Sequence, residues 1–265
     1  MNKWERQVTR YLNDSEHQLL VEYDRWLKAA FSHIPLGANE HAIHGFHLTH
    51  HQRLSSILFK HSAAVFTAGQ AHGEEDCQAV LKKKKRRLAK YPGIDLEQAD
   101  DDDSFTPHDA IKVLQQRSIV LAGEVENDIT SGIKEILLRH LAGLPRQRAE
   151  EQIAELLEHN MNRASLIVTT ETTYAYNRGR LFSYREYGAD YVRYMAIMDA
   201  RTCQICGSRN GKILSMDDLG SNIPPVHGRC RCVLSPVFSD VQPDLISKQA
   251  LDWSSVKPLP KGWVS

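Results

Sequence analysis

Four of the chain's five cysteines lie between positions 203 and 232 of its 265 residues, with a histidine among them. Cys203-Gln204-Ile205-Cys206-Gly207 reads as a knuckle, two thiols three positions apart with a glycine behind them to let the backbone fold back. His227-Gly228-Arg229-Cys230-Arg231-Cys232 offers the second half. Five cysteines are too few for a disulfide scaffold, and the odd count argues the same way. In a reducing compartment such close pairs are metal ligands. Zinc takes four soft or borderline donors in a tetrahedron. Cys203, Cys206, His227, Cys230 and Cys232 are five candidates, of which four are expected to bind. Cys230 and Cys232 would share one side of a regular strand, whereas a turn at Gly228 would present His227 with Cys230. The spacing leaves both sets open.

A thiolate-rich set is typical of closed structural zinc sites rather than catalytic ones. No His-Glu-x-x-His pattern occurs, and no histidine or asparagine follows His227, as a His-Asn-His nuclease would require. The expected cofactor is therefore a structural zinc, and the chain is expected to have no catalytic residues.

Most of the remaining sequence has helical periodicity. Trp4, Val8, Tyr11, Leu12, Leu19, Tyr23, Trp26, Leu27 and Ala30 recur at three and four, and predict a helix over 3–30 that Pro35 and Gly37 end. Further helices are predicted near 48–68, with Leu54, Ile57, Leu58 and Val65 on one face, and over 74–90, before Tyr91-Pro92-Gly93. Thr106-Pro107-His108-Asp109 reads as an N-cap, a proline at the first helical position and an early carboxylate, opening a helix to about Leu141. Two more are expected, 147–159 and 163–187. After Tyr191 short apolar runs and turn residues take over. The expected fold is mainly α with a small irregular α+β zinc-binding module near the C-terminus. Its parts would be an N-terminal helical region 1–105, a domain 106–240 containing the zinc module 191–238, and an extended tail 241–265. Removing the metal is expected to melt the region after about 190 while leaving the helices.

Charge narrows the partners. Lys plus Arg and Asp plus Glu both total 33, so no overall field draws nucleic acid, and a charged partner must meet a local patch. The sharpest patch is Lys82, Lys83, Lys84, Lys85, Arg86 and Arg87, a candidate grip on the phosphates of double-stranded DNA. The competing reading is a solvated end of a helix, where cations offset the helix dipole. His41, His44, His47, His50 and His51 lack thiol or carboxylate company and read as polar surface. Glu171 and Arg201 read as buried ion-pair partners bracing the zinc module. In the tail, Trp253 and Trp263 stand among prolines and read either as a strap or as anchors for a partner. No run of eighteen apolar residues predicts a membrane span. The opening Met1-Asn2-Lys3-Trp4-Glu5-Arg6 lacks the apolar stretch of a signal peptide, which fits the cytoplasm.

Asp199, Arg201, Thr202, Cys203, Cys206, Gly211, Lys212, Pro224, Pro225, His227, Cys230, Arg231 and Cys232, in this order, resemble the motif of the phage Mu F-like head morphogenesis family, the minor head proteins of tailed phages. Upstream, Thr170, Glu171, Tyr174, Asn177 and Arg178 resemble the family's Thr-Glu helix, and Tyr194 stands where an aromatic precedes the knuckle. The resemblance covers about 110–238. One departure is Gly228, where the family has proline. The resemblance implies a non-catalytic head protein present in few copies, associated with the portal protein and other procapsid components, and able to contact DNA during packaging or ejection. It would work in the host cytoplasm during assembly and in the virion or procapsid interior. Some relatives carry a toxin domain after the head domain, and the stretch after 238 is expected to be too short for one. The competing class is a zinc-dependent nucleic-acid-processing enzyme or effector, an HNH-like nuclease or a toxin.

Overall fold

A computed structural model describes residues 3–48, 51–88, 107–199 and 202–238. Four long helices carry the body: α1 (Lys3–Phe31), α3 (His51–Leu88), α4 (Pro107–Leu141) and α5 (Arg146–Glu186), with the short α2 (Glu40–His44) in the first connection. A small module follows: β1 (Tyr191–Met195), α6 (Gln204–Arg209), β2 (Ile213–Ser215), two 3₁₀ turns and β3 (Val233–Val237). Its strands form an antiparallel sheet in the order β2-β1-β3, with Val192 opposite both Leu214 and Pro236. The protein is mainly α with a small α+β module, as the sequence implies.

The helix over 3–30 forms as the apolar spacing requires, burying Leu12, Leu19, Tyr23, Trp26 and Leu27. The helix beginning at Pro107 ends at Leu141, where Gly143 takes a left-handed conformation, φ 113°, and Leu144 N–H caps the Arg139 carbonyl. Thr106 and the tail with Trp253 and Trp263 lie outside the described residues.

Two predicted breaks are absent. The segments read as 48–68 and 74–90 are one helix, α3, and those read as 147–159 and 163–187 are one helix, α5. The first fusion has a packing cause. Gly69 and Gly73 lie where α3 crosses α5, and a Cβ on Gly69 would sit 2.4 Å from the Tyr176 carbonyl oxygen. From the other side, a Cβ on Gly179 would meet the Phe66 carbonyl oxygen at 2.1 Å. The glycines allow close backbone approach instead of ending the helix. Within α5, Asn160 turns its amide back onto the Leu156 carbonyl at 2.8 Å and stays inside the helix.

Three apolar clusters run along α5. One joins α1, α2, α3, α4 and the first half of α5 around Trp26, Leu58, Val125 and Ile167. The next joins Val8, Leu12, Phe66 and Leu114 to Tyr176, and takes in Ile197 and Val233 of the module. The last sets Cys77 of α3, with Leu181 and Tyr184 of α5, against Val192, Tyr194 and the module cysteines. The module shares its core with the helices, its apolar face completed by α3 and α5.

The middle of α5 is buried on nearly every side. Thr169, Thr170, Glu171, Thr172, Thr173, Asn177 and Arg180 are all buried, so their polar groups need partners inside the protein. Glu171 pairs with Arg117 of α4, with Arg117 Nε 2.8 Å from Oε2 and Nη2 2.8 Å from Oε1. This corrects the expectation that Glu171 braces the metal module: it ties α4 to α5. Arg201 lies outside the described residues.

Candidate metal centre

The centre begins with the first knuckle. Cys203 caps α6, its sulfur accepting the Cys206 N–H at 3.4 Å. Thr202 fixes the approach, donating to the Ile197 carbonyl at 2.6 Å while its oxygen accepts the Asp199 N–H at 2.9 Å. Asp199 in turn receives Arg231 Nη2 at 2.6 Å, joining the strand before the first knuckle to the Cys-Arg-Cys of the second half. Sequence reading marked Asp199, Thr202 and Arg231 only as motif letters. Their role is to hold the two halves together.

The second half turns at Gly228 and Arg229. Cys230 N–H returns to the His227 carbonyl at 3.2 Å. Arg229 carries φ 60°, a left-handed conformation uncommon for a residue with a Cβ. Its N–H donates to Thr170 Oγ1 at 3.0 Å, so α5 holds this turn in place. The preceding Pro224-Pro225 peptide is cis.

The strand that leaves the centre is held by a row on α5. Asn177 donates to the Cys232 carbonyl and accepts the Leu234 N–H, both at 3.0 Å, much as a neighbouring strand would. Arg180 Nε and the Tyr184 hydroxyl both donate to the Leu234 carbonyl, at 3.1 and 2.8 Å. Arg180 also pairs with Asp76 of α3, and Asp76 accepts the Trp4 indole N–H at 2.9 Å. A polar chain therefore links α1, α3 and α5 to the strand after Cys232. Sequence reasoning missed Arg180, Tyr184 and Asp76. Their signal was a charged and hydroxylated stripe at helical spacing on an otherwise buried helix.

All five predicted donors line one small cavity of about 20 Å³, together with Ile197, Thr202, Arg229 and Arg231. That volume holds one small ion or one water. Cys203, Cys206 and His227 form one close group and Cys206, Cys230 and Cys232 another, with the donor atoms in each group within 4.8 Å of one another. His227 Nε2 is 3.1 Å from Cys203 Sγ and 2.9 Å from Cys206 Sγ, and Cys206 Sγ is 3.8 Å from Cys230 Sγ. His227 Nδ1 lies 2.6 Å from the Gly228 carbonyl, which needs a proton on Nδ1 and leaves the Nε2 lone pair facing the thiols. This is how a metal-binding imidazole is oriented.

Electrostatics fit the same purpose. Hydrogen bonding to Cys230 and Cys232, and then burial, push the Cys206 thiol far above its ordinary range. For Cys230 burial also works upward, but hydrogen bonds with Cys206 and Cys232 outweigh it and hold this thiol well below its usual value. The ionisation of each of these buried thiols thus depends on its neighbours. A divalent cation would let further thiols ionise together. The donor set therefore fits a soft or borderline ion such as zinc.

The other candidates lie elsewhere. Lys82 and Lys83 are exposed near the C-terminal end of α3, which continues through Lys84, Lys85, Arg86 and Arg87 to Leu88. His41, His44 and His47 are exposed on and just after α2. No described helix is long and apolar enough to cross a membrane.

The helical body thus grips a thiol-rich module through α3 and α5. Residues 122–235 match the family described as Phage Mu protein F like protein. The span opens in α4 and closes in β3, and contains all five donors and the α5 residues that hold them. No curated protein and no solved structure matches the chain.

Proposed function

We propose that this protein is a phage minor head protein, a non-catalytic component that associates with the portal and other procapsid parts through its folded surfaces. The match over 122–235 carries this reading, because it coincides with the region built around the metal centre. The site's chemistry supports it. Its cavity is small and walled by its own donors, an arrangement suited to holding an ion rather than admitting a substrate. In this reading zinc is structural, and the protein acts in the host cytoplasm during assembly and in the procapsid or virion interior.

Co-expression with the portal protein of the same phage tests the proposal. The tagged chain is expected to co-purify with the portal ring and to be found in assembled heads. Absence from both would overturn it, and so would metal-dependent DNA cleavage or ADP-ribosyl transfer by the purified protein, which would favour the enzyme class.

The basic end of α3 is proposed as a non-specific DNA contact. Lys82 and Lys83 project into solvent, and cations at a helix C-terminus face a favourable dipole whether or not DNA is present. The discriminating quantity is salt dependence. Replacing Lys82 to Arg87 with glutamine is expected to weaken duplex binding and flatten its salt dependence, by about 0.9 in log–log slope per lost phosphate contact. Unchanged affinity in filter binding would rule the contact out.

A further inference from the structure

We infer that the ion is held by Cys203, Cys206, His227 and Cys230, and that Cys232 is an outer thiol that positions the bound thiolates without ligating. This assignment rests on the reading of the cluster as a metal centre.

Two turns of equal length face each other. Cys203 and Cys206 bracket a turn closed by the Cys206 N–H on the Cys203 sulfur at 3.4 Å. His227 and Cys230 bracket a second, closed by the Cys230 N–H on the His227 carbonyl at 3.2 Å. Each turn therefore offers donors at the same spacing, Cys-x-x-Cys and His-x-x-Cys. With zinc about 2.3 Å from sulfur and about 2.0 Å from nitrogen, tetrahedral edges are about 3.8 Å between sulfurs and about 3.5 Å between sulfur and nitrogen. The Cys206–Cys230 separation of 3.8 Å already equals a sulfur edge. The imidazole contacts of 2.9 and 3.1 Å are slightly short, so an entering ion needs only a small retreat of the ring.

Cys206 belongs to both close groups, so completing the tetrahedron means bringing one more sulfur toward Cys203 and His227. The choice lies between Cys230 and Cys232, and backbone restraint decides it. Cys230 sits in the turn itself. Cys232 is bolted to α5: its carbonyl is taken by Asn177 at 3.0 Å, and two residues on, Leu234 is held by Asn177, Arg180 and Tyr184. Moving Cys232 inward would break several buried hydrogen bonds, whereas the turn that carries Cys230 is tied to α5 by one backbone hydrogen bond, Arg229 N–H on Thr170 Oγ1. The Cys232 sulfur remains within 4.8 Å of those of Cys206 and Cys230, near enough to pack against and position them from outside, as outer partners of metal ligands do.

Cobalt(II) substitution of the full chain tests the assignment, since sulfur-to-cobalt charge-transfer intensity scales with the number of bound thiolates. Wild type is expected to show three thiolates and one nitrogen. Cys232→Ser is expected to keep that intensity and the metal stoichiometry, while affinity falls about 10- to 100-fold, as for loss of an outer partner. Cys230→Ser is expected to lose a third of the intensity. X-ray absorption of the zinc-loaded wild type gives the sulfur and nitrogen count without any substitution. A Cys232→Ser protein that loses a thiolate or takes up no metal overturns the assignment, as does a His227→Ala protein with an unchanged spectrum. Wild type that binds neither cobalt nor zinc would instead overturn the metal reading itself.

Discussion

At the scale of single residues, the donors were legible and their supports were not. Each knuckle is a local turn, so Cys203, Cys206, His227, Cys230 and Cys232 stand out as a group of candidate ligands by spacing, without spacing choosing four among them. Asn177 works on a strand 55 to 57 residues away, and no local pattern reveals that. Glu171 shows the same limit: the buried pairing was expected, but its partner is Arg117, 54 residues upstream. Side-chain exposures of 7% and 3% make this a desolvated pair. Removing one charge of such a pair leaves the other uncompensated, so Glu171→Gln is expected to cost about 3–5 kcal/mol in denaturant unfolding. Replacing Glu171 and Arg117 together with apolar residues of similar volume should cost far less. Equal losses in the single and double variants would show that the pair is not the interaction being measured.

At the scale of elements, α1 and α4 were predicted close to their observed limits because their apolar stripes and breakers are local. The divided readings of α3 and α5 failed because local periodicity does not show the tertiary surroundings that carry a helix through. Gly69 and Gly179 are where the α3 and α5 backbones meet, and that contact outweighs the intrinsic cost of glycine in a helix. Gly179→Ala would place a methyl 2.1 Å from the Phe66 carbonyl oxygen, forcing the helices apart. A loss of about 3 kcal/mol or more is expected, at the upper end of overpacking effects. Gly123 of α4 is the control, since a Cβ there meets nothing within 4 Å. Gly123→Ala is expected to stabilise by about 0.5–1 kcal/mol through helix propensity alone. Thermal unfolding that ranks the two variants the other way would contradict the proposed crossing.

At the scale of the whole molecule, the same α3–α5 seam carries an acid sensitivity. His61 of α3 faces Thr172 of α5, with Nε2 3.0 Å from the hydroxyl, and burial lowers its pKa from 6.5 to about 4. His72 lies further along the seam, 2.9 Å from the Tyr176 hydroxyl. Its pKa is lowered by burial and by Arg180, against the opposing pull of Glu75 and Asp76. A histidine with a depressed folded pKa binds its proton more readily when unfolded. Its contribution is therefore complete above about pH 6.5 and is lost as the pH falls toward 4. For partly buried His61 this amounts to about 1–3 kcal/mol. Stability measured between pH 7 and 4.5 should fall, and His61→Gln should flatten the fall. An identical pH profile in that variant would exclude His61 as the cause.

The cores shared by helices and module also change what metal removal should do, because Val233 and Ile197 lie in one cluster with Val8, Leu12 and Phe66. A chelator is expected to lower the unfolding temperature of the helices as well as of the sheet. Whether the five clustered donors form a metal centre is read from the metal content of the freshly purified protein. Close to one zinc per chain is expected, retained through gel filtration and lost when Cys206 is replaced by alanine. Purified, folded protein with no bound zinc or other divalent ion would contradict it.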